Sequence, residues 1–398
     1  RKLEKPKMII LGVQHMFAMF GATILVPILT GLDISTTLLM AGLGTLLFHC
    51  ITKFKVPAFL GSSFAFLGGY AAIKAFSPND PNSMLPYACL GVACAGLIYF
   101  ILAAVIKAVG IEKVMRFFPP VVTGPIIIAI GLGLAPSAVS NCTTNWFLAV
   151  VALAVIVVFN IWGKGMAKII PIILGLLISY GTGLVLYFIS QANPDLIQNV
   201  PWLFSGGADA NGVYQPIFDF TSLNTICDNI SKGHIFGSEG LIGIPIHWDK
   251  TVFGGIDYSN GALIASSIIA IVPIAFATMM EHIGDICAIS STTGNNYIKD
   301  PGLHRTLVGD GLATTLASLF GGPANTTYGE NTGVLALTRV YDPRVIRIAA
   351  YFAVAVSFFP IVSVIIGSIP SCIIGGISFV LYGMISAIGV RNVVENKV

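Results

Sequence analysis

The residues best placed to do chemistry in apolar surroundings fall in three short stretches, two of which carry carboxylates. Glu281, His282 and Asp285 share one apolar span, and Glu281 and Asp285, four apart, lie on one helix face. Tyr328, Gly329, Glu330 and Asn331 sit in Gly321–Arg339, a polar interruption between two long apolar blocks. Leu60-Gly-Ser-Ser-Phe-Ala-Phe66, which includes Ser63 and Phe64, is a second Gly-rich interruption. Gly321, Gly322 and Pro323 break a helix, and Thr326, Thr327 and Tyr328 favour extended backbone. From about Gly333 the residues suit a helix again. An ionisable residue in a broken membrane segment is costly and marks a functional site by default. Irregular backbone at that depth survives only where protein buries it or it lines a cavity. Extended chain followed by a half-helix also aims free N–H groups and a positive dipole end at the cavity. Two half-helix starts then offer donors while two glutamates offer acceptors. That set suits a small, planar, neutral ligand carrying both N–H and C=O groups, and repels an anion.

Each of these residues also has a structural reading. His282 and His15 serve equally well as helix–helix hydrogen-bonding groups. Phe64 suits packing as well as ligand stacking, and Asp285 suits a hydrated position near a membrane face.

The elements that position these residues follow from composition. The 398 residues are 55% hydrophobic and 10% charged, against about 25% charged in soluble domains. Apolar runs near the roughly 20 residues needed to cross a bilayer recur along the chain. Spans are expected near 8–30, 34–52, 57–76, 84–106, 120–139, 146–162, 169–190, 261–284, 303–320, 323–338, 348–368 and 370–390, with two of the twelve interrupted. With a cytoplasmic N-terminus, 18 of the 21 basic residues fall inside, leaving Lys74, Lys232 and Lys250 outside. The polar 191–260 segment is then external, with a hairpin expected in it, and a Cys142–Cys227 disulfide is conceivable on that side. Phosphate-cradling glycine loops, zinc-spaced His/Cys sets and Ser-His-Asp arrangements are missing, so no enzyme, cofactor, metal or nucleic-acid partner is expected.

The order of residues also repeats. Gln14-His15 resembles Glu281-His282 at an offset of 267, Gly61-Ser-Ser resembles Gly329-Glu-Asn at 268, and Pro119 to Gly124 resembles Pro370 to Gly375 at 251. Span 1 runs outward and span 8 inward, so the repeat is inverted, as in many secondary transporters. Seven spans precede the external segment and five follow, so the chain as given is expected to lack the last two.

Longer matches carry a resemblance. Gln14-His-Met-Phe-Ala-Met-Phe-Gly-Ala22-Thr, Leu60-Gly-Ser-Ser-Phe-Ala-Phe, Glu281-His-Ile-Gly, Asp300-Pro-Gly-Leu-His-Arg305 and Asn325-Thr-Thr-Tyr-Gly-Glu-Asn-Thr-Gly333 resemble the nucleobase–ascorbate (nucleobase–cation symporter-2) transporters, above all the bacterial members that carry uracil. The resemblance implies an all-α polytopic membrane protein, a seven-plus-seven inverted repeat with two broken spans built of short strands and half-helices. It implies a core from 8–108 and 261–368 and a gate from 112–190 and 369–398, flanking the external 191–260. Residues by residue, Glu281 and Glu330 would accept from uracil N–H groups. The backbone N–H groups of Phe64 and Gly329 would donate to its carbonyls, and Tyr328 and Ala22 would line the pocket. Asp285, which stands where the uracil-carrying members have His, would join His282, His15, Asn331 and Ser63 in proton coupling or site support. The implied activity is proton-coupled uracil import across the inner (plasma) membrane by alternating access, with lipid around the protein and a homodimer as one assembly. The alternatives are a purine or xanthine carrier of the same family, an anion transporter of the same architecture, and an intramembrane hydrolase built on Asp310 of Val-Gly-Asp-Gly.

The charge distribution makes the orientation testable. A cysteine at Ser238 should be labelled by an impermeant maleimide from outside whole cells, and one at Lys164 should not. The reverse pattern would overturn the topology.

Overall fold

A computed structural model describes residues 5–110, 113 and 120–395. It is mainly helical, with α1 (Lys5–Thr30), α2 (Ile34–Ile51), β1 (Leu60–Ser62), α3 (Leu67–Lys74), α4 (Leu85–Val109), α5 (Pro120–Cys142), α6 (Trp146–Trp162) and α7 (Pro171–Ala192) in the first part. After β2 (Ser205–Ala208), β3 (Tyr214–Pro216) and α8 (Thr221–Ser231) come α9 (Gly261–Ile271), α10 (Ile274–Thr293), α11 (Leu303–Leu319), β4 (Asn325–Thr327), α12 (Gly329–Thr338), α13 (Pro343–Ser357), α14 (Pro360–Gly367) and α15 (Ser371–Glu395). Among the described residues seven helical stretches are long and apolar enough to cross a membrane, eight if a sharply bent pair counts as one.

The chain forms two compact units: Arg1–Thr123 with Ile242–Val362, and Gly124–Leu241 with Ser363–Val398. The 191–260 segment is thus divided between them. The first unit is built around two helix crossings that mirror each other, α4 on α11 and α2 on α13. Both depend on glycine. A Cβ on Gly96 would lie 2.7 Å from the Gly311 carbonyl oxygen, and one on Gly311 would lie 2.6 Å from that of Gly96. A Cβ on Gly42 would lie 2.7 Å from the Ala350 carbonyl oxygen. In a bilayer no hydrophobic force separates helix from lipid, so such close backbone approach is what holds helices together. Gly42 and Gly311 are 269 residues apart, as are Thr45 and Thr314. Those two threonines do equivalent work: Thr45 Oγ1 donates to Leu60 O at 3.1 Å and Thr314 Oγ1 to Asn325 O at 2.7 Å.

β1 and β4 pair antiparallel, Leu60 with Thr327, Gly61 with Thr326 and Ser62 with Asn325. This pairing corrects the repeat alignment. The first two helices of each repeat keep an offset of 267–269, but the strands are offset by 265, from Leu60 to Asn325, because the second helix-to-strand connection is shorter. Phe64, not Gly61, is therefore the counterpart of Gly329.

In the second unit α6 packs on α7 and α15. Asn145 caps α6 by accepting from Leu148 N–H at 3.1 Å, and its amide donates to Ser205 O at 2.8 Å, tying the β2–β3 hairpin to the helices. A hairpin does stand in the 191–260 segment.

Three expectations change. The span placed at 261–284 continues to Thr293, ended by Gly294 in the left-handed region at φ +72°. Asp285 does not end it, because Thr327 satisfies that carboxylate from the side. Besides the two interrupted spans, α13 and α14 meet at an 87° bend; Pro360 has no N–H to continue the helix. All seven cysteines are unpaired: Cys142 ends α5 buried against Gly375, and Cys227 is exposed on α8. Outside the spans, Lys55 Nζ lies 2.6 Å from an Asp300 carboxylate oxygen and holds that carboxyl below its usual range.

The glycine crossing gives a stability test. Gly96→Val should lower the thermal midpoint of the purified protein, at a cost of about 1–3 kcal/mol for overpacking, because backbone oxygen cannot move aside. The same substitution at Gly68, where a Cβ meets nothing within 4 Å, should change it little.

Candidate functional site

The site is assembled in the first unit where two strands meet. A three-residue strand alone could not satisfy its backbone in a membrane, but β1 and β4 satisfy each other. Gly61 makes the crossing close, since a Cβ there would sit 2.5 Å from the Tyr328 ring. Tyr328 N–H donates to Phe59 O at 3.0 Å and its hydroxyl donates to Ser62 O at 2.9 Å. Thr23 Oγ1 on α1 lies 3.3 Å from that hydroxyl. Tyr328 is thus buried and locks strand to strand and strand to α1. Ala22 is buried in the same apolar cluster, and Phe64 packs on the cluster's edge, half-buried.

Beyond the strands the pairing stops. Ser63 N–H still donates to Ala324 O at 2.8 Å. Among the described residues, the next N–H group, that of Phe64, donates to no acceptor, and neither does Gly329 N–H at the first position of α12. The first turn of a helix always leaves such donors over. Gly329 is exposed, and a Cβ added there would meet nothing within 4 Å. Glu330 is the second residue of α12; its side chain lies outside the described residues.

α10 presents two different faces. Glu281 is exposed and Asp285 half-buried, one turn apart, with Gly284 beside them facing open space. Asp285 Oδ2 accepts from Thr327 Oγ1 at 2.7 Å, which fixes β4 against this face. On the other side His282 Nδ1 lies 3.3 Å from Asp310 Oδ2, and both side chains are fully buried. His282 thus joins α10 to α11. His15 on α1 is buried too; the Asn331 amide lies 3.2 Å from its Nδ1 and donates to its carbonyl at 3.1 Å. The Thr327–Asp285 bond therefore brings the Asp285 face of α10 against β4, just before α12 begins at Gly329, and Ser63, His15, Asn331 and His282 are buried. Among the described residues no group of three His, Cys, Asp or Glu is arranged for a metal.

Two groups escaped the sequence reading. Thr327 was visible only as a strand-former, although its place two residues before Gly329 on alternating backbone set its side chain beside the site. Asp310 was weighed only as a hydrolytic group; among the described residues its partner is His282.

Comparison with known proteins gives the family. Residues 6–398 match the Xan_ur_permease model, described as a permease family. The chain is 38% identical to the uracil permease of Bacillus caldolyticus over 98% of its own length and 80% of that protein's. It is 37% identical to the uracil permease of Bacillus subtilis (97% and 80%) and 31% identical to that of Escherichia coli K12 (98% and 79%). Its fold is similar to the transmembrane domain of the cyanobacterium bicarbonate transporter BicA, with TM-score 0.63 at 13% identity over 100% of this chain and 97% of that one. SLC26A9 gives TM-score 0.52 at 11% identity over 96% and 57%. The chain is a multi-pass membrane permease, not an enzyme, and belongs to the nucleobase–ascorbate transporter family.

Proposed function

We propose that the chain is a proton-coupled uracil symporter that works by alternating access in the inner membrane, with its N-terminus cytoplasmic. The observation that carries this reading is the β1–β4 crossing, which leaves the Phe64 and Gly329 N–H groups unsatisfied next to the Glu281–Asp285 face of α10. Uracil alternates N–H and C=O groups around a planar ring. Its carbonyls suit the two backbone donors, and its N–H groups suit Glu281 and Glu330. Tyr328 and Ala22 back the pocket, and Phe64 forms its edge. Asp285 carries the coupled proton, with His282, His15, Asn331 and Ser63 supporting the helices that hold it. The core segments 8–108 and 261–368 hold substrate, and 112–190 with 369–398 form the gate. The names of the uracil permeases that the chain resembles support the choice of uracil.

Uptake of labelled uracil, in a strain lacking its own permeases and with xanthine and ascorbate as competitors, tests the reading. Uracil should win over both; preferential competition by xanthine would favour a purine carrier. Glu281→Gln should weaken uracil binding about 10- to 100-fold, because an amide donor facing a substrate N–H strands two donors at a cost of about 1–3 kcal/mol. Near-normal binding would remove Glu281 from the site. Glu330→Gln should lose uracil uptake, with residual binding moved toward xanthine; equal competition by N1- and N3-methyluracil in the unmodified protein would argue against a carboxylate reading the N–H groups.

Gly329→Ala separates site from scaffold. Its methyl group has room and suits a helix, so the unliganded protein should melt no lower. The same methyl faces the ligand and should weaken uracil binding at least about tenfold, each tenfold being 1.4 kcal/mol. Unchanged binding would place the ligand elsewhere.

A further inference from the structure

Thr327 sits at a position that strand-forming preference alone does not require. Its backbone is held in the β1–β4 ladder opposite Leu60, its side chain is buried, and its Oγ1 lies 2.7 Å from Asp285 Oδ2 on a different element. The counterpart in the first repeat, Ser62, donates to the backbone carbonyl of Thr23 at 3.1 Å. A carbonyl can only accept, so that bond has one form. A carboxyl accepts when ionised and can donate when protonated, and a hydroxyl does both. Thr327–Asp285 is therefore a bond that survives a change of protonation.

We propose that Thr327 is the positioning residue for Asp285, keeping one hydrogen bond to it in both protonation states so that the carboxyl stays fixed relative to the Gly329 N–H throughout transport. When a proton from water binds Asp285, the hydroxyl rotates from donating to accepting; when the proton leaves, it rotates back. The O–H bond formed on Asp285 is matched by the one broken in the hydronium ion that delivers the proton, which leaves as water. Only Tyr328 separates Thr327 from Gly329, so a fixed Thr327 also holds the ligand-facing donor in place. The inference rests on the reading of Asp285 as the coupling group.

Other titratable groups lie on the neighbouring elements. Glu281 lies one turn earlier on α10. His282 and Asp310 face each other behind the helix. Tyr99 of α4 gives its hydroxyl to Thr278 at 2.6 Å, and Tyr328 gives its own to Ser62 O. Lys299 and Asp300 lie beyond the end of α10, Asp300 bonded to Lys55. Glu330 follows on α12, its side chain outside the described residues.

The test compares the full chain with Thr327→Val, Thr327→Ala and Thr327→Ser in proteoliposomes, recording uracil uptake against pH and proton entry with an internal pH dye. A carboxylate loses more than its acid when a donor is removed, since charge-assisted hydrogen bonds are the stronger ones. Uptake by Thr327→Val should therefore reach half its maximum about one pH unit higher than in the unmodified protein, a tenfold change in proton affinity. Thr327→Ala should shift the same way should the valine variant not be recovered, and Thr327→Ser should restore the original profile. A hydroxyl-free variant with an unchanged pH profile and unchanged proton entry would overturn the role of Thr327 alone. Uracil uptake without proton entry in the unmodified protein would overturn the coupling reading and this inference together.

Discussion

The constraint on which the rest depends is that backbone polar groups inside a membrane must find partners. Two non-helical segments are each unacceptable alone and acceptable together. β1 and β4 pair antiparallel over three residues and then diverge into α3 and α12. The length of the ladder decides what remains. A longer one would consume the Phe64 and Gly329 donors, and without it the strands would expose several more. The helix crossings at Gly96–Gly311 and Gly42–Ala350 serve the same end, because they bring α4, α11, α2 and α13 close enough to enclose the strands.

Much of this was legible in the sequence, for identifiable reasons. Gly321, Gly322 and Pro323 announced the second interruption, and the Thr-Thr-Tyr run announced extended chain; both follow from backbone preferences that packing does not override. The four-residue spacing of Glu281 and Asp285 put them on one face. What failed was register. Matching Gly61 to Gly329 by residue type gave an offset of 268, whereas the strand pairing sets 265. Residue similarity rewarded shared glycines, but Gly61 is small to admit the Tyr328 ring while Gly329 opens toward space. One residue type answers two different constraints.

Partnerships across the chain were also out of reach. Thr327 with Asp285, and His282 with Asp310, join residues 42 and 28 positions apart in sequence, and nothing in either neighbourhood names the other. The alternative reading of Asp285 as a hydrated residue near a membrane face arose because a lone carboxylate asks for water; a hydroxyl reaches it from β4. The bend between α13 and α14 escaped because Pro360 lies within a run that hydropathy alone reads as continuous.

The His282–Asp310 pair gives α10 an electrical asymmetry. Both side chains are fully buried, so protein closes the back of the helix. Replacing either partner would strand the other in a dry interior, and breaking a buried pair in that way costs about 3–5 kcal/mol. The front of the helix, with Glu281 exposed and Asp285 half-buried, has no such barrier. One helix thus keeps one side anchored in α11 and leaves carboxylates on the other.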